Sequence, residues 1–483
     1  MTLSRLRAEW APSIPRELMA GAVATFALIP EVIAFSFVAG VDPSVGLFAS
    51  FVISMVIAFT GGRPAMISAA AGSVALVAAP LVQSHGLGYL LAAGVLAGMV
   101  QVLFGLLRLG ALMRFVSASV RTGFVNALAI LIFAAQMPHL IGANGTTWGM
   151  VALGLAIIYL LPRLTKAVPS PLVCIVVLTL VASWFGLPLK TVADLGTLPD
   201  ALPAFAWLDV PFTLETLRLV ALPALAIAMV GLLESMMTAS VVDELTDTPS
   251  SKNRECSGLG VANIAASFFG GIAGCGMIGQ TVSNVRYGSR GRLSTLFAGL
   301  FLLVLMVLLK PWVSQVPVAA LVAIMVMVSA STFDWGSLGS VVRHPRLSSL
   351  VMVATVAITV ATDNLAAGVA VGVMLSGVFF TFKVASLLSV HAEDDAATGT
   401  RIYRVVGQVF FASADEFVDA FDILDTENRP VHIDLTQAHL WDVTAVAALD
   451  KVVQRLQKHG SAVEVVGLNG ASAVLVDKLG TKA

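Results

Sequence analysis

The sequence predicts an all-α polytopic membrane domain of about 14 segments, followed by a small cytoplasmic α/β domain. Three observations point there. The chain is 58% hydrophobic and only 12% charged, whereas a soluble chain is about 25% charged. Apolar stretches of about 18 residues or more recur from Glu17 to Ser389. Beyond Ser389 the pattern turns to short β-type runs alternating with amphipathic helical ones.

The apolar runs, read against Gly, Pro and charge, place segments near 17–38, 43–60, 68–84, 87–107, 114–136, 147–164 and 168–186. A second set lies near 218–242, 257–272, 277–288, 292–310, 316–333, 347–361 and 365–388. The segments at 68–84 and 277–288 are short or follow extended Gly/Ala-rich stretches, so they read as half-helices. Gly94 and Gly98 form a small-residue pattern suited to helix packing. The membrane domain covers 1–389, a polar linker 390–400, and the C-terminal domain 401–483. Within that domain IYRVVGQVFFA reads as a strand pair and ADEFVDAFDILD as a helix. VHIDLTQ and AVEVVGL read as strands, TAVAALDKVVQRLQKHG and ASAVLVDKLG as helices.

Lys and Arg fix the expected orientation. Arg5, Arg7, Arg16, Arg63, Arg108, Arg114, Arg163, Lys166, Lys252, Arg254, Arg286, Arg290, Arg292, Arg343, Arg346 and Lys383 fall on one side under an even span count. Lys190, Lys310 and the acidic loop with Asp194, Asp200, Asp209 and Glu215 fall on the other. Both termini are therefore expected in the cytoplasm of a multi-pass protein, with no signal peptide at the N-terminus.

Several function classes are excluded. The net charge of −1 and the lack of a basic face argue against nucleic acid. No Walker A loop supports ATP hydrolysis. No nucleophile–base arrangement shares a membrane depth, so an enzyme is not expected. Cys174, Cys256 and Cys275 have no metal-ligand spacing and read as reduced structural thiols. No cofactor and no resident metal are expected.

What remains are acids where acids are rare. A carboxyl near the bilayer centre costs about 2.5–3.5 kcal/mol on insertion scales, so it marks a cavity, a partner or a proton path. Glu31 stands in IPEVIAFSF beside Pro30, which kinks a helix, with Phe35 one turn on. Glu234 stands in GLLESMMTASVVDE with Thr238 four residues on, on the same helix face. That pair suits proton exchange, or Na⁺. Asp243 and Glu244 read as solvated ends. The stretch GGIAGCGMIGQTVSNVRYGSRGR (Gly270 to Arg292) suits an extended segment running into a short helix. Its free amides and dipole end favour an anion. Gly279, Gln280 and Thr281 are its candidate contacts. The counterpart in the first half is GGRPAMISAAAGSVALVAAP, where Ala70, Ala71 and Gly72 let a ligand approach the backbone. Two opposed half-helix ends would hold a negative guest without a fixed cation.

At these residues the chain resembles the sulfate permease (SulP) family of anion transporters, which includes prestin and pendrin. PEVIAFSFVAGVDPSVGLFASF is similar to that family's first-helix signature, with Glu31 where Gln is usual. NVRYGSRGRLSTLFAG resembles its tenth-to-eleventh helix stretch, and Gln280 stands where prestin-like proteins carry arginine. Glu234 and Thr238 match positions that hold Na⁺ in the family's bicarbonate importers, which have Asp for Glu. The resemblance implies seven-plus-seven inverted repeats, with a core (17–107 and 218–310) moving against a gate (114–186 and 316–388). It also implies a C-terminal sulfate-transporter and anti-sigma-factor-antagonist (STAS) domain. HIDLTQAHLWDVTAVAAL is similar to that domain's Asp-Ser-Ser region: Asp442 matches, Val443 replaces the phosphorylated serine, and Thr444 is a weak regulatory substitute.

The expectation is a secondary transporter in the bacterial inner (plasma) membrane. It would couple H⁺ to a small anion: a C4-dicarboxylate such as fumarate, sulfate or bicarbonate. A homodimer is implied by the family, and a cytoplasmic protein partner at the STAS domain is open. The alternatives are a Na⁺-coupled bicarbonate importer, an uncoupled anion channel, and a membrane-anchored STAS signalling protein.

Overall fold

The structure is a computed structural model. It describes residues 9–111, 116–164, 169–194, 202–343, 346–396, 398–422, 426 and 428–479. Arg5, Arg7, Arg114, Lys166, Asp200 and His344 lie outside the described residues. The chain divides into two compact units, 1–373 and 374–483.

The first unit begins with α1 (Ile14–Ala39). Pro15 suits its first turn and Gly40, at φ 74°, ends it in the left-handed region. Next come α2 (Pro43–Thr60), the short strand β1 (Ser68–Ala70), the half-helix α3 (Gly72–His85) and α4 (Leu87–Leu106). They are followed by α5 (Ala118–Ala134), α6 (Gly145–Leu164) and α7 (Ser170–Trp184). The second half repeats the order: α8 (Leu214–Thr246), α9 (Lys252–Phe268), β2 (Gly274–Gly276), the half-helix α10 (Ile278–Arg286) and α11 (Leu293–Val313). It closes with α12 (Val318–Thr332), α13 (Arg346–Thr362) and α14 (Leu365–Ala385). Among the described residues, seven helices are long and apolar enough to cross a membrane, and shorter apolar helices accompany them. A nine-residue helix, Trp335–Arg343, precedes α13 and was not anticipated.

Small residues set the helix packing. A Cβ on Gly98 of α4 would lie 2.6 Å from the Gly260 carbonyl of α9, and one on Gly105 would lie 2.5 Å from the Asn253 carbonyl. The α4 and α9 backbones thus touch, as the Gly94/Gly98 spacing suggests. Gly21 of α1 meets the Ser294 carbonyl of α11 in the same way. Such contacts join α1, α2 and α4 with α8, α9 and α11, while α5 and α6 pack with α12 and α13. Gly154 of α6 sits on Ala323 of α12, and Gly123 of α5 on Thr355 of α13.

Charges at the Glu17 end of α1 lock the first group. Glu17 is fully buried and accepts from Ser289 Oγ (2.9 Å), Arg290 N (2.8 Å), Gly291 N (2.9 Å) and Ser294 N (3.2 Å). Glu255 accepts from Gly62 N (2.7 Å) and Arg63 N (3.0 Å). Arg292 donates to Ala58 O (3.0 Å), Gly61 O (2.9 Å) and Glu9 (2.7 Å). Asp243, expected as merely solvated, instead pairs with Arg63 (3.2 Å) and Lys252 (2.8 Å). The turn after α8 brings Lys252 to it, and the loop between α2 and β1 brings Arg63.

The second unit holds a four-stranded sheet in the order β3 (Ser389–Asp394), β4 (Arg401–Val409), β5 (Val431–Leu440) and β6 (Val463–Val466). The β3–β4 pair is antiparallel and the other two are parallel. Helices α15 (Ala414–Asp419), α16 (Val443–Lys458) and α17 (Gly470–Leu479) complete it. Two expectations are corrected. The first part of the 390–400 linker, to Asp394, belongs to β3, a polar edge strand, and IYRVVGQVFFA holds one strand rather than two. The helix expected over ADEFVDAFDILD is described only as Ala414–Asp419, and 423–425 lie outside the described residues. The core gathers Tyr403, Val405, Phe417, Ile433, Leu435, Leu449 and Leu456.

Candidate anion site

The two half-helices grow from one backbone crossing. β1 and β2 pair antiparallel, with Ser68 opposite Gly276, Ala69 opposite Cys275 and Ala70 opposite Gly274. Only small residues fit there: a Cβ on Gly274 would run into the Ala69 carbonyl. Each strand leads into a helix through an extended N-cap, Ala71 for α3 and Met277 for α10. Met277 N is held by Ile67 O at 2.8 Å. Within each helix the first-turn amides have no intrahelical acceptor. These are Gly72, Ser73 and Val74 in α3, and Ile278, Gly279 and Gln280 in α10. Both sets sit at the positive end of a helix dipole.

α1 crosses both helix starts. The Phe35 ring lies on α3, with its Cε1 2.7 Å from where a Cβ on Gly72 would be. One turn back, the Glu31 carboxyl lies beside the Gln280 side chain of α10. Glu31 is half-buried, and a Cβ on Gly279 would meet nothing within 4 Å. The first turn of α10 therefore opens on free space beside Glu31.

Glu234 of α8 serves the other start. Its Oε2 accepts from the Ser73 hydroxyl of α3 and from the Cys275 thiol of β2, the latter at 3.0 Å. Ser235 Oγ accepts from Gly276 N at 2.9 Å, fixing α8 to the crossing. Each acid thus comes from one half of the chain and engages the half-helix of the other.

The structure brings Glu31, Phe35, Ala71, Gly72, Gln280 and Glu234 around the crossing and leaves Gly279 at its open side. It reassigns three expected contacts. Thr281 is fully buried, accepts from Ile67 N (2.9 Å) and donates to Ile67 O (3.3 Å). Thr238 does not meet the Glu234 carboxyl; its hydroxyl donates to Glu234 O (2.9 Å) and Gly276 O (3.0 Å). Ala70 N is held by Ser50 Oγ (3.2 Å). Through these bonds the three groups brace the crossing. Ser73 and Cys275 were missed; a serine in the first turn of a broken helix is the only local signal for either. Cys174, Cys256 and Cys275 are free and buried, and no cluster of metal-ligating side chains occurs among the described residues. In the second unit Asp442 caps α16, accepting from Ala445 N (2.9 Å) and Phe411 N (2.9 Å), and Thr444 is exposed in its first turn.

Comparison with known proteins agrees with this geometry. The sulfate permease family pattern matches residues 14–153 and 143–355, and the STAS domain pattern matches 391–483. YbaR of Bacillus subtilis (strain 168) is 51% identical over 475 residues, covering 98% of each chain. The solved transmembrane domain of a cyanobacterium bicarbonate transporter, BicA, is 26% identical with a TM-score of 0.68, covering 73% of this chain and 97% of that one. The murine anion transporter Slc26a9, solved in the inward-facing state, has a TM-score of 0.84 over 96% of this chain and 87% of its own. At 18% identity that likeness speaks for the fold. With two broken helices crossed at a shared backbone pair and a family match over most of the first unit, the chain belongs to the sulfate permease family of anion transporters, with a STAS domain at its C-terminal end.

Proposed function

We propose that the chain is a secondary active transporter that moves a small anion together with H⁺ across the bacterial inner membrane. C4-dicarboxylates such as fumarate, sulfate and bicarbonate are the substrates to be tried. The observation that carries this reading is the placement of one acid at each half-helix start: Glu31 against Gln280 and Glu234 against Ser73. The first-turn amides supply attraction for a negative guest, and none of the side chains placed above at the crossing carries a fixed positive charge. A proton on either carboxyl lowers local negative charge and favours anion binding; its loss favours release. The group α1–α4 with α8–α11 would carry the site past α5–α7 and α12–α14, exposing it to each side in turn. Both termini would face the cytoplasm.

A Na⁺-coupled reading uses the same corner, because Thr238 and the Gly276 carbonyl lie beside Glu234. The proton is preferred on geometry. Na⁺ would need the Thr238 hydroxyl and the Glu234 carboxyl in one shell, and that hydroxyl is turned to the Glu234 and Gly276 carbonyls instead.

Proteoliposomes test this directly. Uptake of labelled fumarate, sulfate and bicarbonate is measured under an inward pH gradient and, separately, an inward Na⁺ gradient. The expected result is pH-driven accumulation of one of them, lost in Glu234→Gln and reduced in Glu31→Gln. Full accumulation in the double variant, or accumulation driven by Na⁺ alone, refutes proton coupling.

A further inference from the structure

Two neighbouring cavities with shared lining residues lie at the far end of α1 from Glu17. The larger, about 400 Å³, is lined by His139, Asn144, Thr147, Lys190 and the first turn of α12 at Val318 and Ala319. The smaller, about 40 Å³, shares His139, Val318 and Val322 with it and continues to Ala34, Phe37 and Val38 of α1. The inner cavity therefore reaches α1 on either side of Phe35, one turn beyond Glu31.

The larger cavity suits a negative guest. Lys190 is exposed, yet its backbone is fixed. Val318 N donates to Lys190 O (2.9 Å), and Val192 N donates to Val316 O (2.9 Å). This holds the Lys190 segment against the entrance to α12, whose dipole end adds positive potential. Lys190 is the fixed cation of this lining, and His139 stands in the same wall as a hydrogen-bonding ring. The nearby acid, Asp194, is also within reach of Lys190, but its carboxylate accepts from Thr191 N (2.7 Å) and Thr191 Oγ1 (2.9 Å) and does not line the cavity.

We propose that these cavities form the outward mouth of the anion path, with Lys190 and His139 capturing a small anion and passing it to the α1 surface beside Glu31. The proposal deepens the transport reading above and rests on it. A cation at a narrow mouth raises the local concentration of anions and hence their capture rate, by tenfold or more, roughly. It leaves the later steps at the half-helices unchanged.

The test uses the full chain in right-side-out proteoliposomes, with sulfate, fumarate and bicarbonate as probes. Lys190→Gln should raise the external KM roughly 5- to 10-fold at low salt, within the range of such steering. Vmax should stay within about twofold, because the mouth acts on capture and release rather than on the later steps, and Vmax/KM for efflux should fall by the same factor as for uptake, since both directions pass the same mouth. His139→Gln should raise the external KM in the same direction. In Lys190→Cys, an impermeant cationic thiol reagent should restore the KM and an anionic one should worsen it. The chain's own cysteines are buried, so the reagents report on position 190. An unchanged KM in Lys190→Gln overturns the proposal, as does equal impairment by both reagents. If the unaltered chain moves none of the probes, the transport reading itself fails, which is a different result from failure of the mouth.

Discussion

Replacing Gly72 by alanine tests whether Phe35 really roofs the start of α3. The added Cβ would stand 2.7, 3.0 and 3.1 Å from Cε1, Cδ1 and Cζ of the Phe35 ring. Comfortable carbon–carbon contact is about 3.5–4.0 Å, so three ring atoms must each retreat by roughly half an ångström or more. Phe35 is 3% exposed, so the ring can retreat only by displacing its packed neighbours. Overpacking of this kind costs about 1–3 kcal/mol, or about 5- to 150-fold in an equilibrium constant. Thermal unfolding of the purified chain should fall accordingly, and the KM for the transported anion should rise because the ring is pushed over the first-turn amides. The double variant Phe35→Ala/Gly72→Ala removes the clash, so the two effects should not add; a coupling of about 1 kcal/mol is expected for residues in contact. Wild-type stability and KM in Gly72→Ala would refute the placement of the ring, and so would strict additivity in the pair.

Three other outcomes follow from geometry already described. Cys275→Ser keeps a donor on Glu234 and should leave transport within about twofold, whereas Cys275→Ala removes it and should shift the KM by about tenfold, since a bond to a charged group is worth roughly 1.5–3 kcal/mol; equal behaviour of the two in a flux assay would show that the thiol is mere packing. Arg63→Leu should destabilise the first unit by about 1–3 kcal/mol, because Arg63 is 8% exposed and its loss strips the Thr248 carbonyl of its donor and leaves Asp243 to Lys252 alone, and a melting scan beside the unaltered chain checks it. Asp434 lies below the usual carboxylate range because Thr436 donates to it from its hydroxyl (2.6 Å) and its backbone N (2.9 Å). Its folded form is the more acidic one, so its stabilisation is present above the unfolded value near ~3.9 and disappears as pH falls through the folded value; acid titration of the second unit should show this loss, and Asp434→Asn should flatten it.

The membrane architecture was legible because apolar length and punctuation are read directly from residue type. The two half-helices were legible because glycine and alanine crowd where regular helix fails. Glu31 and Glu234 stood out because an acid among aliphatic neighbours is conspicuous. The hydroxyls at Thr238 and Thr281 were misjudged for a plain reason. Helical spacing says which face a threonine shares, not whether its proton goes to a carbonyl four residues back or across a crossing. Cys275 was invisible because its partner strand lies about two hundred residues away, and pairing of small residues leaves no pattern in either stretch. Glu17 and Glu255 look like ordinary first-turn acids, and only the folded chain shows main-chain amides from other segments closing on them. β3 was passed over because an exposed edge strand is written in polar residues, much like a linker.

The ladder between Ser68–Ala70 and Gly274–Gly276 ties two helices that belong to different halves of the chain. Its rungs are main-chain bonds sealed from water, where breaking one leaves both groups unsatisfied. α3 and α10 are in effect a single splice, and a pull on either drags its twin. Under the sliding motion proposed above, the cradle would be ferried rather than pried apart, and a passenger would feel the same walls from one shore to the other. Selectivity would then reside in a shape that travels unaltered, and timing in whatever slides past it.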